Sequence, residues 1–203
     1  MNERGMIFNA EMVRAILDGR KTQTRRPVKF PLIDKNMGCE LAGNELAGEL
    51  AAHNYWNSPY GKPGDRIWVR ETFRVHSRAT DVATLVYRAS VRNSWTEQTH
   101  RVPIAVCDKP ATPEKWTPSI HMPRWASRIL LEITDVRVER LRDLSEEDAK
   151  SEGITPPAGG VLLGWEYRIN FRDLWMDIYG TDSWEANPWV WVIEFKRVEG
   201  AAL

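Results

Sequence analysis

The chain has few of the residues that metal sites and disulfide frameworks need. It contains two cysteines in 203 residues, Cys39 and Cys107, and they lie in unrelated surroundings with no CxxC pair. Four histidines are scattered without metal-ligand spacing, at His53, His76, His100 and His121. This composition excludes a zinc ribbon, and we expect neither a metal nor another cofactor.

The chain also lacks a charge excess and a long apolar run. Lys and Arg number 28, as do Asp and Glu, so the formal net charge is zero. A protein that coats nucleic acid by bulk charge is therefore excluded, although a local basic patch is not. No apolar run approaches transmembrane length and no signal peptide opens the sequence, which predicts a cytoplasmic protein without a membrane partner.

What is present is typical of a soluble globular protein. Hydrophobic residues make up 42% of the chain and charged residues 28%, and ten tryptophans provide large rings for a core or a flat ligand. The length predicts a single domain over residues 1–203, with insertions at about 30–60 and 76–126.

Hydrophobic periodicity predicts several short strands and about three helices. The expected strands are 6–9, 66–73, 84–88, 128–142 and 189–196. One helix is expected after Asn9 and two more at 145–154 and 166–179, and 40–52 is a weaker candidate helix. Residues 90–118 are polar and proline-rich and are expected to be a surface excursion, and 156–164 a flexible loop. The long strand changes phase near Thr134-Asp135, which indicates a bend. The predicted fold class is α+β: a small β-barrel of mixed strands with helices at its rim and long loop insertions.

The stretch Gly19 to Arg26 combines one lysine, two threonines and three arginines. If it is extended, Thr22, Thr24 and Arg26 point to one face, and Lys21, Gln23 and Arg25 to the other. A lysine beside a hydroxyl is a possible nucleophile pair, and arginines can hold an anion. The alternative is a helix C-terminus with cations that suit its dipole, and residue types alone favour that interpretation.

Three further places each allow two interpretations. Glu71 lies on an apolar strand face, either as an edge carboxylate that meets water or an arginine, or as a paired carboxylate in a pocket. Arg124 and Trp125 either hold an anion and stack on a base, or are a solvated arginine and a buried tryptophan. Glu152 ends a short helix, where the dipole disfavours a carboxylate, and is either a proton shuttle or an exposed acid.

The Lys21 stretch resembles the signature of the ASCH domain family, a branch of the PUA-like β-barrel superfamily. That signature reads Gly-x-Lys-x-x-Glu-x-Arg, and Gly19, Lys21 and Arg26 match it, whereas Thr24 replaces the glutamate. The small bacterial ASCH enzymes that hydrolyse N4-acetylcytidine also have threonine there. Longer ASCH proteins of bacteriophages and prophages are more similar still, because 30–60, 76–126 and 155–165 have no counterpart in the small enzymes.

The resemblance implies an amidohydrolase that acts on an N-acylated cytidine-type nucleoside or a related modified base, without a cofactor. Its catalytic residues would be Lys21 as base, Thr24 as nucleophile and Glu152 as acid/base, the last placed by aligning the helix pattern Glu-x-x-Ala-x-x-Glu on Ala149. Candidate substrate-binding residues are Arg26, Arg70, Glu71, Arg124 and Trp125.

Two alternatives stay open for the same fold. One is a module that binds RNA or a modified nucleotide without catalysis, through a rim of Arg20, Arg25, Arg26, Lys29 and Arg124. The other is a ribonuclease. The expected partner is thus a small modified nucleoside or single-stranded RNA, and the sequence does not predict the oligomeric state.

Overall fold

A computed structural model describes residues 1–90, 99–155 and 166–198. These residues form eight strands and four α-helices, in the order β1 (Glu3–Ile7), α1 (Ala10–Leu17), β2 (Gln23–Pro27), α2 (Gly43–Ala51), β3 (Arg66–Arg70), β4 (Phe73–Arg78), β5 (Val82–Tyr87), β6 (Thr99–Pro103), β7 (Leu130–Arg140), α3 (Glu146–Ser151), α4 (Glu166–Tyr179) and β8 (Trp189–Arg197). None of the helices in this part of the chain has the length and apolar character needed to cross a bilayer. The predicted loop at 156–164 lies outside the described residues.

The chain divides into two compact units, each assembled from separate stretches. The first comprises Met1–Asp18, Arg66–Glu132 and Arg197–Leu203, and the second comprises Gly19–Asp65 and Ile133–Lys196. Strand β7 begins in the first unit and continues in the second. That residues 1–203 form a single domain, with insertions at 30–60 and 76–126, stays a prediction.

The first unit contains two groups of paired strands. Strand β1 pairs in parallel with β3, and β3 pairs antiparallel with the start of β7, with Arg66 opposite Glu132. Strands β4, β5 and β6 form a separate antiparallel sheet in sequence order. Its buried core consists of Phe73, Val75, Ala83, Leu85, Tyr87, Val102, Cys107, Met122 and Ala126.

The second unit places the Lys21 stretch at a sheet edge. Strand β2 pairs antiparallel with β8, from Gln23 opposite Glu194 to Pro27 opposite Val190. In the strand order β8 lies between β7 and β2, so β2 is an edge strand. The core beside these strands joins β8 to α3 and α4 and consists of Leu141, Leu144, Ala149, Phe171, Trp175, Val190 and Val192.

The fold confirms the mixed α+β expectation at the coarse level. The described strands lie in two sheets and do not close into a barrel, so the barrel itself is not confirmed. The predicted strand 66–73 breaks at Glu71, and Phe73 begins β4 in the other sheet. Within the predicted surface excursion at 90–118, Thr99–Pro103 form a strand, because β5 provides a partner strand that the local polar sequence does not reveal.

Local signals were more reliable than the predicted barrel. Asn9 caps α1, since its side-chain oxygen accepts from the Met12 amide at 2.8 Å. Ser145 and Asp148 form the expected capping box at the start of α3. Helix α4 has the predicted bounds. The buried positions of β7 change phase between Ile133 and Val136, where the bend was expected.

Replacing Leu144 with alanine tests the core of the second unit. Leu144 is 1% exposed, so truncation leaves a cavity beside α3 and should lower the free energy of unfolding by roughly 2–5 kcal/mol. Urea denaturation followed by circular dichroism measures this loss. The matched control is Ile178→Ala, whose side chain is 45% exposed and whose loss should stay within about 0.5 kcal/mol. Equal effects of the two substitutions would contradict the placement of this core.

Candidate functional site

The start of β2 is joined to the end of α3. Gly19 turns the chain in a left-handed conformation with φ of 73°, which a side chain would strain. Lys21 then forms an antiparallel bridge with Glu152, and the Thr22 amide donates to the Ser151 carbonyl at 2.8 Å. Glu152 is the C-cap residue of α3, so helix geometry and strand pairing together fix the positions of both residues.

Lys21 and Glu152 form a buried ion pair. The amine Nζ donates to Oε2 of Glu152 and to the Glu152 backbone carbonyl, both at 2.8 Å. The two residues are only 2% and 6% exposed. Sequence analysis predicted that these residues act together, and the structure brings them into direct contact.

Alternate residues of β2 continue this polar face. The Arg25 guanidinium donates to Oε1 of Glu152 at 3.3 Å and to Glu139 at 2.5 Å. The Gln23 amide donates to Asp148 at 3.1 Å. The expected grouping of Lys21, Gln23 and Arg25 on one face is therefore confirmed, and acidic side chains of α3 and β7 cover that face.

A second arginine extends the network along β7. Arg137 donates to Glu139 at 3.3 Å, to Asp148 at 3.1 Å and to Glu194. The connected cluster holds three cations, Lys21, Arg25 and Arg137, and five acids, Asp135, Glu139, Asp148, Glu152 and Glu194. Each of the three cations contacts at least one carboxylate, and acids outnumber cations by two. In the described parts of the chain no three His, Cys, Asp or Glu side chains are arranged to hold a metal ion.

Burial sets the protonation of Lys21. Removal from water lowers the pKa of its amine, the adjacent Glu152 raises it, and the charges of Arg26 and Arg25 lower it further. The net result is a pKa below the ordinary 10.5 of lysine. A lysine with a depressed pKa can serve as a proton acceptor, as a general base must.

Thr24 lies between Gln23 and Arg25 in β2 and is 1% exposed. Strand alternation sends its side chain to the face opposite Gln23 and Arg25, where its cross-strand neighbour is Ile193. Arg26 shares that face opposite Trp191, and its charge nevertheless acts on the Lys21 amine. The role of Thr24 as a nucleophile stays a prediction, as does substrate binding by Arg26.

Glu71 in the first unit has an arginine partner. Its two carboxylate oxygens accept from Arg128 at 2.9 and 3.0 Å, and Arg128 lies over the Tyr87 ring at 4.1 Å. Burial raises the pKa of Glu71, and Arg128 opposes that rise. The sequence predicted either a solvent-accessible edge carboxylate that meets water or an arginine, or a paired carboxylate in a pocket. The structure shows Glu71 paired with an arginine and buried.

The other substrate-binding candidates of the first unit also contact neighbouring groups there. Arg70 donates to the backbone carbonyls of Ser119, at 3.2 Å, and Ile120. Arg124 donates to Glu3 at 2.9 Å. Trp125 packs edge-on against Phe73 with ring centroids 6.3 Å apart. Their predicted contact with substrate stays a prediction.

Sequence reasoning missed the partners of the Lys21–Glu152 pair. Arg25 was expected on a ligand-binding rim, whereas it contacts Glu152 and Glu139 inside the protein. Asp148 was recognised only as a capping residue, yet it also accepts from Gln23 and Arg137. Strand alternation placed Arg25 on the same face as Lys21, but no local signal connects either residue to β7.

No protein-family model, no curated protein and no solved structure matches this chain. The resemblance to ASCH proteins therefore stays an expectation.

Glu152→Gln tests whether the buried pair stabilises the fold. Removal of the negative charge leaves Lys21 and Arg25 facing a neutral amide, and the loss in unfolding free energy should be roughly 3–5 kcal/mol. Denaturant unfolding of Glu152→Gln, Lys21→Met and the double variant measures it. The double variant should lose less than the sum of the single losses. Strict additivity would show that the two residues do not interact energetically.

Asp148 makes stability depend on acid. Burial raises the pKa of its carboxyl, but hydrogen bonds from Ser145 and Gln23 and the Arg25 charge lower it more, to about 2 from the ordinary 3.8. Its folded pKa is thus depressed, so its stabilisation is complete above pH 3.8 and is lost as pH falls towards 2.

The contribution of Asp148 should reach at most about 2 kcal/mol, because solvent screens this partly exposed group. Denaturant unfolding between pH 5 and pH 2, with pH 5 chosen well above the carboxyl titration, compares the protein with Asp148→Asn. The difference between the two should shrink as pH falls through this window. A difference that is constant with pH would contradict the titration of Asp148.

Proposed function

We propose that this chain is an ASCH-type amidohydrolase with a PUA-like fold, acting on an N-acylated cytidine-type nucleoside or a related modified base. The observation that supports it best is the contact between Lys21 and Glu152, which lie 131 positions apart. The family resemblance pairs these two residues, and their side chains are in direct contact.

The first step would use Lys21 as the base. In its neutral form the amine has two N–H groups, which match the two bonds to the Glu152 carboxylate and carbonyl. The lone pair would take the proton of the Thr24 hydroxyl, which requires the Lys21 side chain to reach round the edge of the sheet to the Thr24 face. Thr24 Oγ1 attacks the acyl carbon, and a tetrahedral oxyanion forms.

The second step returns the proton. The Lys21 ammonium gives it to the departing exocyclic amine as the C–N bond breaks, which leaves the acyl group as an ester on Thr24. Water then attacks the ester carbon while Lys21 or Glu152 accepts its proton, and as the ester C–O bond breaks that proton passes to Thr24 Oγ1, which releases the free acid and restores the hydroxyl. The sum is one amide and one water converted into one acid and one amine.

Glu152 contributes by orienting the amine in both steps. Its carboxylate accepts from Lys21 on one oxygen and from Arg25 on the other, so neither cation can rotate away easily. Arg26, whose charge acts on Lys21, would stabilise the oxyanion from the Thr24 face. Both roles use charges that are already in place, so little reorganisation is needed during the reaction.

The buried contacts of Arg25 count against the RNA-binding and ribonuclease alternatives. Arg25 is enclosed by Glu139 and Glu152, whereas the contacts of Arg20 with the Gly153 carbonyl, at 2.9 Å, and of Arg124 with Glu3 are exposed and carry less weight. Cations with internal acceptors contribute less to phosphate binding than free ones, because those contacts must first be broken.

Acetate release from N4-acetylcytidine tests the proposal. Thr24→Val and Lys21→Met should each lower kcat/KM by roughly 100-fold or more, because each removes a group that transfers or donates a proton in the first step. The matched control is Thr22→Val, an exposed threonine of the same stretch, which should retain full activity. Circular dichroism verifies that every variant is folded.

Two outcomes would reject the proposal. One is the absence of turnover by the unmodified protein on N4-acetylcytidine and on other N4-acyl cytidines. The other is activity in Thr24→Val equal to that in Thr22→Val. In that second case, a loss of activity in Lys21→Met would still support Lys21 as a base, with a nucleophile other than Thr24.

A further inference from the structure

A cavity of about 230 Å³ in the second unit is lined by three arginines and a tryptophan. Its lining residues are Arg142, Arg168, Ile169, Arg172 and Trp184. Arg142 lies in the turn after β7, three residues come from α4, and Trp184 follows α4. None of them belongs to the Lys21–Glu152 cluster. The cavity is smaller than the roughly 300–1,000 Å³ pockets that enclose whole drug-sized ligands, so it suits one end of a larger ligand.

The acidic partners of Arg142 and Arg172 are exposed to solvent. Arg142 contacts Glu185, whose side chain is 78% exposed, and Arg172 donates to Asp173, which is 53% exposed. Ion pairs so accessible to water contribute little, and an incoming anion can displace them at low cost. Arg168 donates to the Arg142 carbonyl at 3.1 Å, which draws two of the guanidinium-bearing residues together.

The placement of Arg168 and Arg172 is unfavourable for the helix. Arg168 lies in the first turn of α4, where the dipole disfavours a cation. Arg172 lies four residues later on the same face, so the two like charges repel each other. The Glu146 carboxylate accepts from the Tyr167 and Arg168 amides at this helix start, and an anion held between the two arginines would relieve their mutual repulsion.

Trp184 supplies an aromatic surface to the same cavity. The indole is partly buried, and Phe171 packs against it at a ring-centroid distance of 6.5 Å and an angle of 62°. This contact fixes the ring at the cavity wall. A fixed indole beside several guanidinium groups is suited to stacking on a planar base whose phosphate lies nearby.

We propose that the cavity binds the phosphate of a nucleotide, whose base stacks on Trp184. Arg142, Arg168 and Arg172 provide the donors for the phosphate oxygens. The nucleotide is either free in solution or part of a single strand, since both present a phosphate next to a base. The site is separate from the proposed hydrolase chemistry and does not depend on it.

Isothermal titration with adenosine 5′-monophosphate tests the site, with adenosine, inorganic phosphate and a single-stranded RNA hexamer as the other arms. We expect binding of the monophosphate or the hexamer, weakened by added salt, and at least about tenfold weaker binding of adenosine and of phosphate. Arg172→Gln and Arg142→Gln should each weaken binding roughly tenfold or more. Trp184→Leu should weaken it about tenfold through lost stacking.

The matched control is Arg140→Gln. Arg140 is an exposed arginine of the same unit that lies over a tryptophan, Trp189, at 4.4 Å but does not line the cavity. Its loss removes the same charge and should leave binding unchanged. Binding of the hexamer without the monophosphate assigns the site to a strand, and binding of both assigns it to a nucleotide.

The proposal is overturned if neither the monophosphate nor the hexamer binds. It is also overturned if adenosine or phosphate binds as tightly as the monophosphate, or if Arg140→Gln weakens binding as much as Arg172→Gln. Should Trp184→Leu fail to fold, the two arginine variants still decide the matter. Hydrolysis of N4-acetylcytidine in Arg172→Gln, measured in parallel, should be unchanged.

Discussion

The buried ion pair between Lys21 and Glu152 is the constraint around which the second unit is arranged. An amine and a carboxylate removed from water are costly, and only direct contact with further hydrogen bonds offsets that cost. The structure supplies both, because the Glu152 carbonyl and Arg25 complete the coordination of the two charges. The pair also joins the end of α3 to the start of the edge strand β2, so a displacement of either element would expose an uncompensated charge.

The two faces of β2 differ in polarity, because the charged partners of the buried pair all lie on one of them. Acids from α3 and β7 cover the face with Lys21, Gln23 and Arg25, and the network leaves an excess of negative charge there. The opposite face has Thr24 next to Ile193 and Arg26 next to Trp191. Strand β2 is an edge strand, and the charge of Arg26 on its other face lowers the pKa of Lys21. A hydroxyl on one face and a base near the edge are thus compatible with the chemistry we propose.

The features that could be predicted from the sequence were local ones. The Asn9 cap, the Ser145 capping box and the alternation of β2 depend on neighbours within a few residues, and all three are present. The pairing of Lys21 with Glu152 was predicted from the family resemblance, because no local pattern connects two residues that lie 131 positions apart. By contrast, the β6 pairing and the Arg128 partner of Glu71 depend on which strands meet in space. Polar residues such as Thr99 and His100 give no local indication that strand β5 pairs with them. Sequence reasoning therefore assigned them to a surface excursion.

The zero net charge of the chain conceals two opposite electrostatic environments in one unit. In the cluster around Lys21, the three cations Lys21, Arg25 and Arg137 each contact a carboxylate, and the acids are in excess. Around Trp184 three arginines line one cavity, and the acidic partners of Arg142 and Arg172 lie exposed to solvent. Bulk charge therefore excludes only nonspecific coating of nucleic acid and says nothing about a single phosphate. Charges in the first environment are held in place by buried ion pairs, whereas those in the second have partners that lie exposed to solvent. The same residue type, arginine, is thus structural at position 25 and available for binding at 172, and burial is what distinguishes them.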